Sequence, residues 1–344
     1  SSYSRLDLGG GNTLGWYRTA GNRPVDPGGT GGWSLREDLL KEIIAHHDAQ
    51  GHDFSQYDAD GDGVIDYIIV IWSGPAGPWA SLWWGCQPTF YDSSFTVDGK
   101  TLGKYSWQWE ANPVGMAFTP NVVIHETGHA LGLPDLYDYD KDVGPDGGAG
   151  KLDMMDANRG DHNCFSKWVI DWLTPYFVAG GTHSLTVMPS GTSENCVVVW
   201  PAVDNVDLFG EFFVAQNRHR VGNDASGMPG DGMLIWHIDA SLDMFGGNYR
   251  YDNSFTEHKL VRLMEADGLE EIEQNDNSWG DAGDYWTAGK VFDKDSTPSS
   301  RRYDGSDSRV KIYNFSLPRV DMTATFEITG QAHVPGAPGS LEIR

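Results

Sequence analysis

Cysteine is scarce: Cys86, Cys164 and Cys196 are the three in 344 residues, they form no metal-type Cys-x-x-Cys pair, and they are too few to staple a small scaffold. At most one disulfide can close within the chain, which leaves the redox compartment open. Basic side chains are also few, 24 Lys and Arg against 49 Asp and Glu, for a formal net charge of -25. That field repels a phosphate backbone and argues against nucleic acid as a partner, while it suits cation binding, with calcium a natural candidate. Apolar runs such as Ile68–Trp72 fall far short of a bilayer span, so no membrane insertion is expected. The opening Ser-Ser-Tyr-Ser-Arg lacks the character of a signal peptide, and the chain reads as a soluble mature fragment.

What is present is aromatic and loop-forming: 14 each of Trp, Tyr and Phe, with 43 Gly and 17 Pro, in a chain that is 39% hydrophobic. This is material for a substantial core under a polar, Gly- and Asp-rich surface. Ser34 to Ala49 places Leu35, Leu39, Leu40, Ile43 and Ile44 on one helical face, with Ser34 and Glu37 spaced as a capping box. An Asp-Gly cluster from Asp58 to Asp66 then reads as a tight loop feeding a buried strand, an apolar run ending at Trp72. A second helix is expected over Asn121 to Leu131, with Thr119 as N-cap, Pro120 at its first position and Gly132 as terminator. Beyond Trp172 the pattern turns to short strands, Cys196–Trp200, Phe212–Ala215 and Met233–Ile238, between Gly, Asn, Asp and Pro loops. The fold class expected is α+β. Val334 to Ser340 is rich in Pro and Gly and reads as a linker.

The motif His125-Glu126-Thr127-Gly128-His129 falls inside the second helix. Residues four apart share a helical face, so the two imidazoles can grip one zinc ion, with Glu126 on the adjoining face. Catalytic zinc takes three protein ligands and leaves a fourth position to water, so one ligand is still needed nearby. Asp135 is the best candidate, because Gly132 can adopt the positive φ that ends a helix and turns the chain back. The full pattern is His-Glu-x-x-His-x-x-Gly-x-x-Asp. The chemistry it implies is hydrolysis by direct attack of a zinc-acidified water, with Glu126 as general base and then as proton donor to the leaving amine. No Gly-x-Ser-x-Gly nucleophile elbow competes with it.

The stretch HETGHALGLPDLYD from His125 to Asp138, with LDMMD and GDHNCFSKW downstream, resembles the immune inhibitor A family of secreted bacterial zinc metallopeptidases. The likeness extends through YDADGDGVIDYIIVIWSG upstream and GMPGDGMLIWHID, HKLVRLMEADG and GDAGD downstream, over roughly residues 34–327. It implies a metzincin-like zincin catalytic domain. Residues 1–133 would form an upper subdomain with a twisted sheet and the zinc-binding helix, 134–330 a large β- and loop-rich lower subdomain, and 331–344 a linker-like tail. The resemblance also implies a Met-turn at Met155, or one residue earlier at Met154, as a hydrophobic floor under the ligands; physically this differs little from ordinary core filling. Relatives are exported with an inhibitory propeptide and often carry further C-terminal domains, so both flanks are expected to be missing here. The expected protein is secreted and monomeric. At Gln216 the resemblance leads one to expect a glutamate, which puts any charge-dependent role of that position in doubt.

Other groups bear on cations. Asp58, Asp60, Asp62, Val64 through its carbonyl, and Asp66 have the alternation of a calcium loop, yet Ile69 stands where a complete EF-hand has its bidentate glutamate; an Asp-Gly turn capping a strand is the other reading. Glu265, Asp267, Asp281 and Asp284 form a second acidic group, a calcium site or solvated loop carboxylates. His162 is close enough to Met155 in sequence to reach a cleft and stabilise a tetrahedral intermediate, whereas His237 lies in an apolar strand; a structural role is favoured for both. Trp79, Trp83 and Trp84 either line a cleft or pack a loop. The function expected is a secreted zinc endopeptidase whose protein substrate binds in extended form along a sheet edge. Its rivals are a non-catalytic, calcium-stabilised surface protein, against which the retained Glu126 argues, and a narrow-specificity metzincin acting on glycoprotein or cell-wall protein.

Overall fold

The structure is a computed structural model that describes residues 2–6, 10–21, 31–73, 84–110, 119–140, 147–201, 208–254, 258–274 and 279–330. Trp79, Trp83 and the tail 331–344 lie outside the described residues. The protein is a mixed α+β molecule with several sheets and few helices. No described helix is long and apolar enough to cross a membrane. The chain divides into two compact units, Asp7–Gly132 and a second made of Leu133–Arg344 with Ser1–Leu6.

In the unit Asp7–Gly132, helix α1 (Gly31–Asp48) buries Leu40 and Ile44 against strands β1 (Val64–Trp72) and β2 (Thr101–Trp109), which pair in parallel from Val64↔Thr101 to Trp72↔Trp109. Ser34 lies inside α1, so the expected capping box does not form; Glu37 turns instead to the Tyr91 N–H, which donates to its Oε1 at 2.8 Å. Strand β1 is not buried throughout. Ile69 and Ile71 are 41% and 40% exposed, while Ile65, Val70 and Trp72 enter the core. Helix α2 (Asn121–Ala130) begins one residue later than expected, with Pro120 rather than Thr119 at the N-cap position and no side-chain cap.

The second unit is built on a five-stranded sheet of order β3-β5-β6-β7-β8, from Tyr176–Val178, Val197–Val199, Glu211–Arg218, Gly232–Asp239 and Val261–Leu263. A three-stranded antiparallel sheet of order β4-β10-β9 uses Gly181–Val187, Met322–Ile328 and Val310–Tyr313. Alternation along β6 and β7 decides which core each residue joins. Phe213, Ala215, Met233 and Ile235 pack with Val187, Ile312, Met322, Ala324 and Phe326 of the three-stranded sheet. Phe212, Val214, Leu234, Trp236 and Ile238 face the opposite way, against Leu133, Leu136, Met155 and Phe165. All eight residues of β7 are buried, and Met233–Trp236 forms a continuous apolar run within it. Two short helices, α3 (Met154–Ala157) and α4 (Cys164–Val169), pack on that second face, and α5 (Glu271–Gln274) follows β8.

Candidate metal centre

Helix α2 carries His125 and His129 one turn apart, and their rings meet edge to face with centroids 4.7 Å apart. The helix ends as expected: Gly132 has φ +101°, in the left-handed region that a side chain rarely adopts. Lys104 Nζ donates to the Ala130 carbonyl at 2.5 Å, placing a cation at the negative end of the helix. Past Gly132 the chain brings Asp135 back, and one ligand atom each of His125, His129 and Asp135 lies within 4.8 Å of the others. One continuous stretch, 125–135, thus supplies the whole group. Tetrahedral zinc, with bonds of about 2.0–2.2 Å, sets its ligand atoms about 3.2–3.6 Å apart, so small rotamer changes close this group on the ion. Two imidazoles and a carboxylate are also the donor chemistry zinc takes, and the residues fit it.

Glu126 is buried, and the backbone at Gly85 approaches it closely. A Cβ built on Gly85 would meet Val122 Cγ1 at 2.5 Å and stand 3.4 Å from Glu126 Oε1. On the Asp135 side, the Tyr139 hydroxyl donates to Asp135 Oδ2 and receives the Tyr137 hydroxyl at 3.1 Å. The Leu136 N–H donates to the Met155 carbonyl at 2.9 Å, which ties the segment carrying Asp135 to α3. Met155 is fully buried, and its own N–H donates to Asp153 Oδ1 at 2.7 Å; Met154 is buried as well.

The other singled-out residues have structural partners. His162 is buried edge to face against Trp172, with centroids 5.7 Å apart, and belongs to none of the metal-type groups among the described residues. His237 stacks between Phe213 and Tyr303, and its Nε2 lies 2.8 Å from Glu211 Oε1. Gln216 is saturated as a neutral amide: Oε1 accepts from the Cys164 N–H and Trp236 Nε1, both at 2.9 Å, and Nε2 donates to Ser190 Oγ at 3.1 Å. A carboxylate there could keep the last contact only with the Ser190 hydroxyl turned round as donor.

The two acidic groups differ. Asp58, Asp60 and Asp62 come together within 4.8 Å, but much of their bonding capacity is already used by the loop itself. Gly63 N–H donates to Asp58 at 3.1 Å, Asp62 N–H to Asp60 at 3.1 Å and Val64 N–H to Asp62 at 2.8 Å. Lys100 Nζ lies 2.6 Å from Asp58 and holds that carboxyl below its usual range, leaving Asp58 Oδ1 buried with no partner among the described residues. Asp66 is outside the group and accepts from the Ala59 N–H at 3.0 Å. The second group comprises two triads that share Asp267: Glu265, Asp267 and Asp284, and Asp267, Glu271 and Asp281. Burial, reinforced by the charges of Asp284, Glu271 and Glu273, pushes the Glu265 carboxyl up to about 8, and burial beside Asp267 and Asp281 pushes Asp284 up to about 7. No Lys or Arg pairs with these five carboxylates among the described residues, where Asp284 Oδ1 and Glu271 Oε2 are buried without partners.

Tyr139 and Glu271 escaped the sequence reading. The only signal for Tyr139 is its position one helical turn after Asp135, which means little in a loop, and Glu271 was hidden in an ordinary acidic run. No protein-family model matches the chain, and no curated protein matches it.

Proposed function

We propose that this protein is a secreted zinc-dependent endopeptidase with a metzincin-like catalytic domain, akin to the immune inhibitor A family. The observation that carries the reading is the convergence of His125, His129 and Asp135 beyond a glycine-terminated helix that also bears the buried Glu126. When bound there, zinc supplies Lewis-acid chemistry, bringing a water's pKa to about 7 and offsetting the negative charge that builds on a carbonyl oxygen. Glu126 takes the water's proton and passes it to the leaving amine. Its burial keeps the carboxylate desolvated and reactive. Tyr139 fixes the direction of the Asp135 carboxylate, the kind of support that ligands of catalytic metals receive from their neighbours. The retained, buried Glu126 favours an enzyme over a non-catalytic descendant.

The reading extends to calcium as a structural ion at the 265–284 group and at Asp58, Asp60 and Asp62. In both, a buried carboxylate oxygen without a protein partner faces like charges, which a hard divalent cation offsets. The substrate is a protein or peptide in extended form, and the protein's own propeptide would be its inhibitor. The test is metal analysis of the purified protein beside hydrolysis of casein or gelatin, before chelation, after it, and after zinc is restored. Near one zinc per chain with zinc-restored proteolysis is the expected result; absence of zinc would overturn the assignment.

A further inference from the structure

Two of the three thiols are placed as neighbours by elements far apart in sequence. Cys164 opens α4, and its N–H donates to Gln216 Oε1 of β6 at 2.9 Å. Cys196 leads into β5, where its carbonyl accepts the Tyr176 N–H at 2.9 Å, and the next residue, Val197, pairs with Ala215 beside Gln216. One side chain of β6 therefore marks the approach of both cysteines. They share one apolar core at 1% and 2% exposure. Burial, and then the Cys164 side chain, raise the Cys196 thiol well above its usual range, so Cys196 lacks the character of a reactive thiolate in the finished fold. Cys86 belongs to the unit Asp7–Gly132, where Arg36 Nη1 contacts its sulfur at 2.7 Å.

We infer that Cys164 and Cys196 are the disulfide-forming pair of this chain and that Cys86 stays a free thiol. The bond adds a covalent tie between the start of α4 and the five-stranded sheet. Cys196 precedes the antiparallel pair Val197↔Ala215 and so stands across from Gln216, whose Oε1 holds the Cys164 N–H, which brings the two cysteines to one place in the same core. The oxidant is a low-molecular-weight disulfide such as glutathione disulfide, acting before the core closes. One cysteine thiolate attacks it and expels a glutathione thiolate; the second cysteine, deprotonated, displaces the other glutathione. Two protein thiols thus become one disulfide, and their two protons pass to the two expelled glutathione thiolates, so the oxidant is reduced to two thiols. This inference does not depend on the zinc reading.

The full chain, unfolded and reduced, is refolded in a glutathione buffer at an oxidising poise, then denatured, alkylated and mapped by mass spectrometry. The expected result is one alkylated cysteine per chain, at Cys86, and a peptide pair joined through Cys164 and Cys196. Cys86→Ser should show no alkylated cysteine after oxidation, and reduction of the oxidised wild type should lower its thermal midpoint by roughly 3–6 °C. Three alkylated cysteines at the oxidising poise, or a link through Cys86, would overturn the pairing whatever the zinc content or activity. Should the variant fail to refold, the wild-type peptide map decides alone.

Discussion

The loop that holds Asp58, Asp60 and Asp62 and the folded group around Glu265 and Asp284 use the same residue types to different physical ends. In the first, carboxylates cap backbone N–H groups at short range and Lys100 supplies a positive charge, so an Asp is held below its normal pKa. In the second, burial and mutual repulsion raise two carboxyls, to about 8 and about 7, and no basic side chain offsets them among the described residues. Acidic composition alone therefore says little about cation demand. What matters is whether solvent and a nearby ammonium remain available to the charge. The group at 125–135 is a third case, in which one carboxylate and two imidazoles converge by chain continuity.

The largest effect is expected where a carboxylate does chemistry rather than bind an ion. Glu126→Gln should lower kcat by about 10²–10⁴-fold while the protein keeps near one zinc per chain, since the amide cannot accept a proton. Metal analysis and peptide hydrolysis measured on the same sample check this, and undiminished turnover would remove Glu126 from the mechanism. The contrast between the acidic groups comes next. Chelation in excess should cost about 2–4 kcal/mol of stability, as for a ligand present at 100–1,000 times its dissociation constant. Asp284→Asn should abolish most of this calcium-dependent gain, whereas Asp60→Asn should reduce it less. Thermal unfolding with and without calcium measures both, and equal responses would erase the distinction.

Buried charge need not be neutralised by a metal. Asp161 and Lys167 are both buried with Oδ2 and Nζ 2.5 Å apart, and Lys167 Nζ also donates to Tyr3 and to the Ser190 carbonyl, each at 2.8 Å. Burial is the largest influence and acts to raise the Asp161 pKa, but the Lys167 ammonium together with further positive charge, including Arg218, outweighs it and brings the carboxyl down to about 2 from the ordinary 3.8. A depressed folded-state pKa gives stability above the unfolded value, lost as pH falls through the folded one. The wild type should therefore lose about 2 kcal/mol from this group between about pH 4 and pH 2. Denaturant titrations across that range should show a shallower slope in Asp161→Asn; an unchanged slope would remove this pair from the acid response. The smallest effect is expected at Met155, where Met155→Leu keeps volume and backbone, costing under about 1.5 kcal/mol with zinc content unchanged. A large zinc loss in that variant would show that the methionine does more than pack.

The zinc motif was legible because everything it needs is local: the repeat of α2 aligns His125 with His129, and Gly132 takes its positive φ within the same stretch. The strands over 196–200, 212–215 and 233–238 were legible for a similar reason, since their apolar residues signal burial without long-range information. Local signals misled where a distant group competed. Glu37 is drawn to the Tyr91 N–H rather than to a helix start, and the run ending at Trp72 leaves Ile69 and Ile71 exposed. Gln216 shows the same limit. Its bonds come from Cys164, Ser190 and Trp236, on three separate segments, and no neighbouring residue announces them.

By itself the sequence determined the helix that presents two imidazoles and a glutamate, the turn that returns an aspartate, the α+β class and the acidic loops. Each follows from backbone preferences and side-chain spacing over a few residues. Only the tertiary structure decided which carboxylates are costly, which methionine anchors the segment beside Asp135, and which cysteines meet. Those outcomes depend on burial and on partners brought from remote parts of the chain, and a charge or a thiol acquires its chemistry from the neighbours that folding supplies.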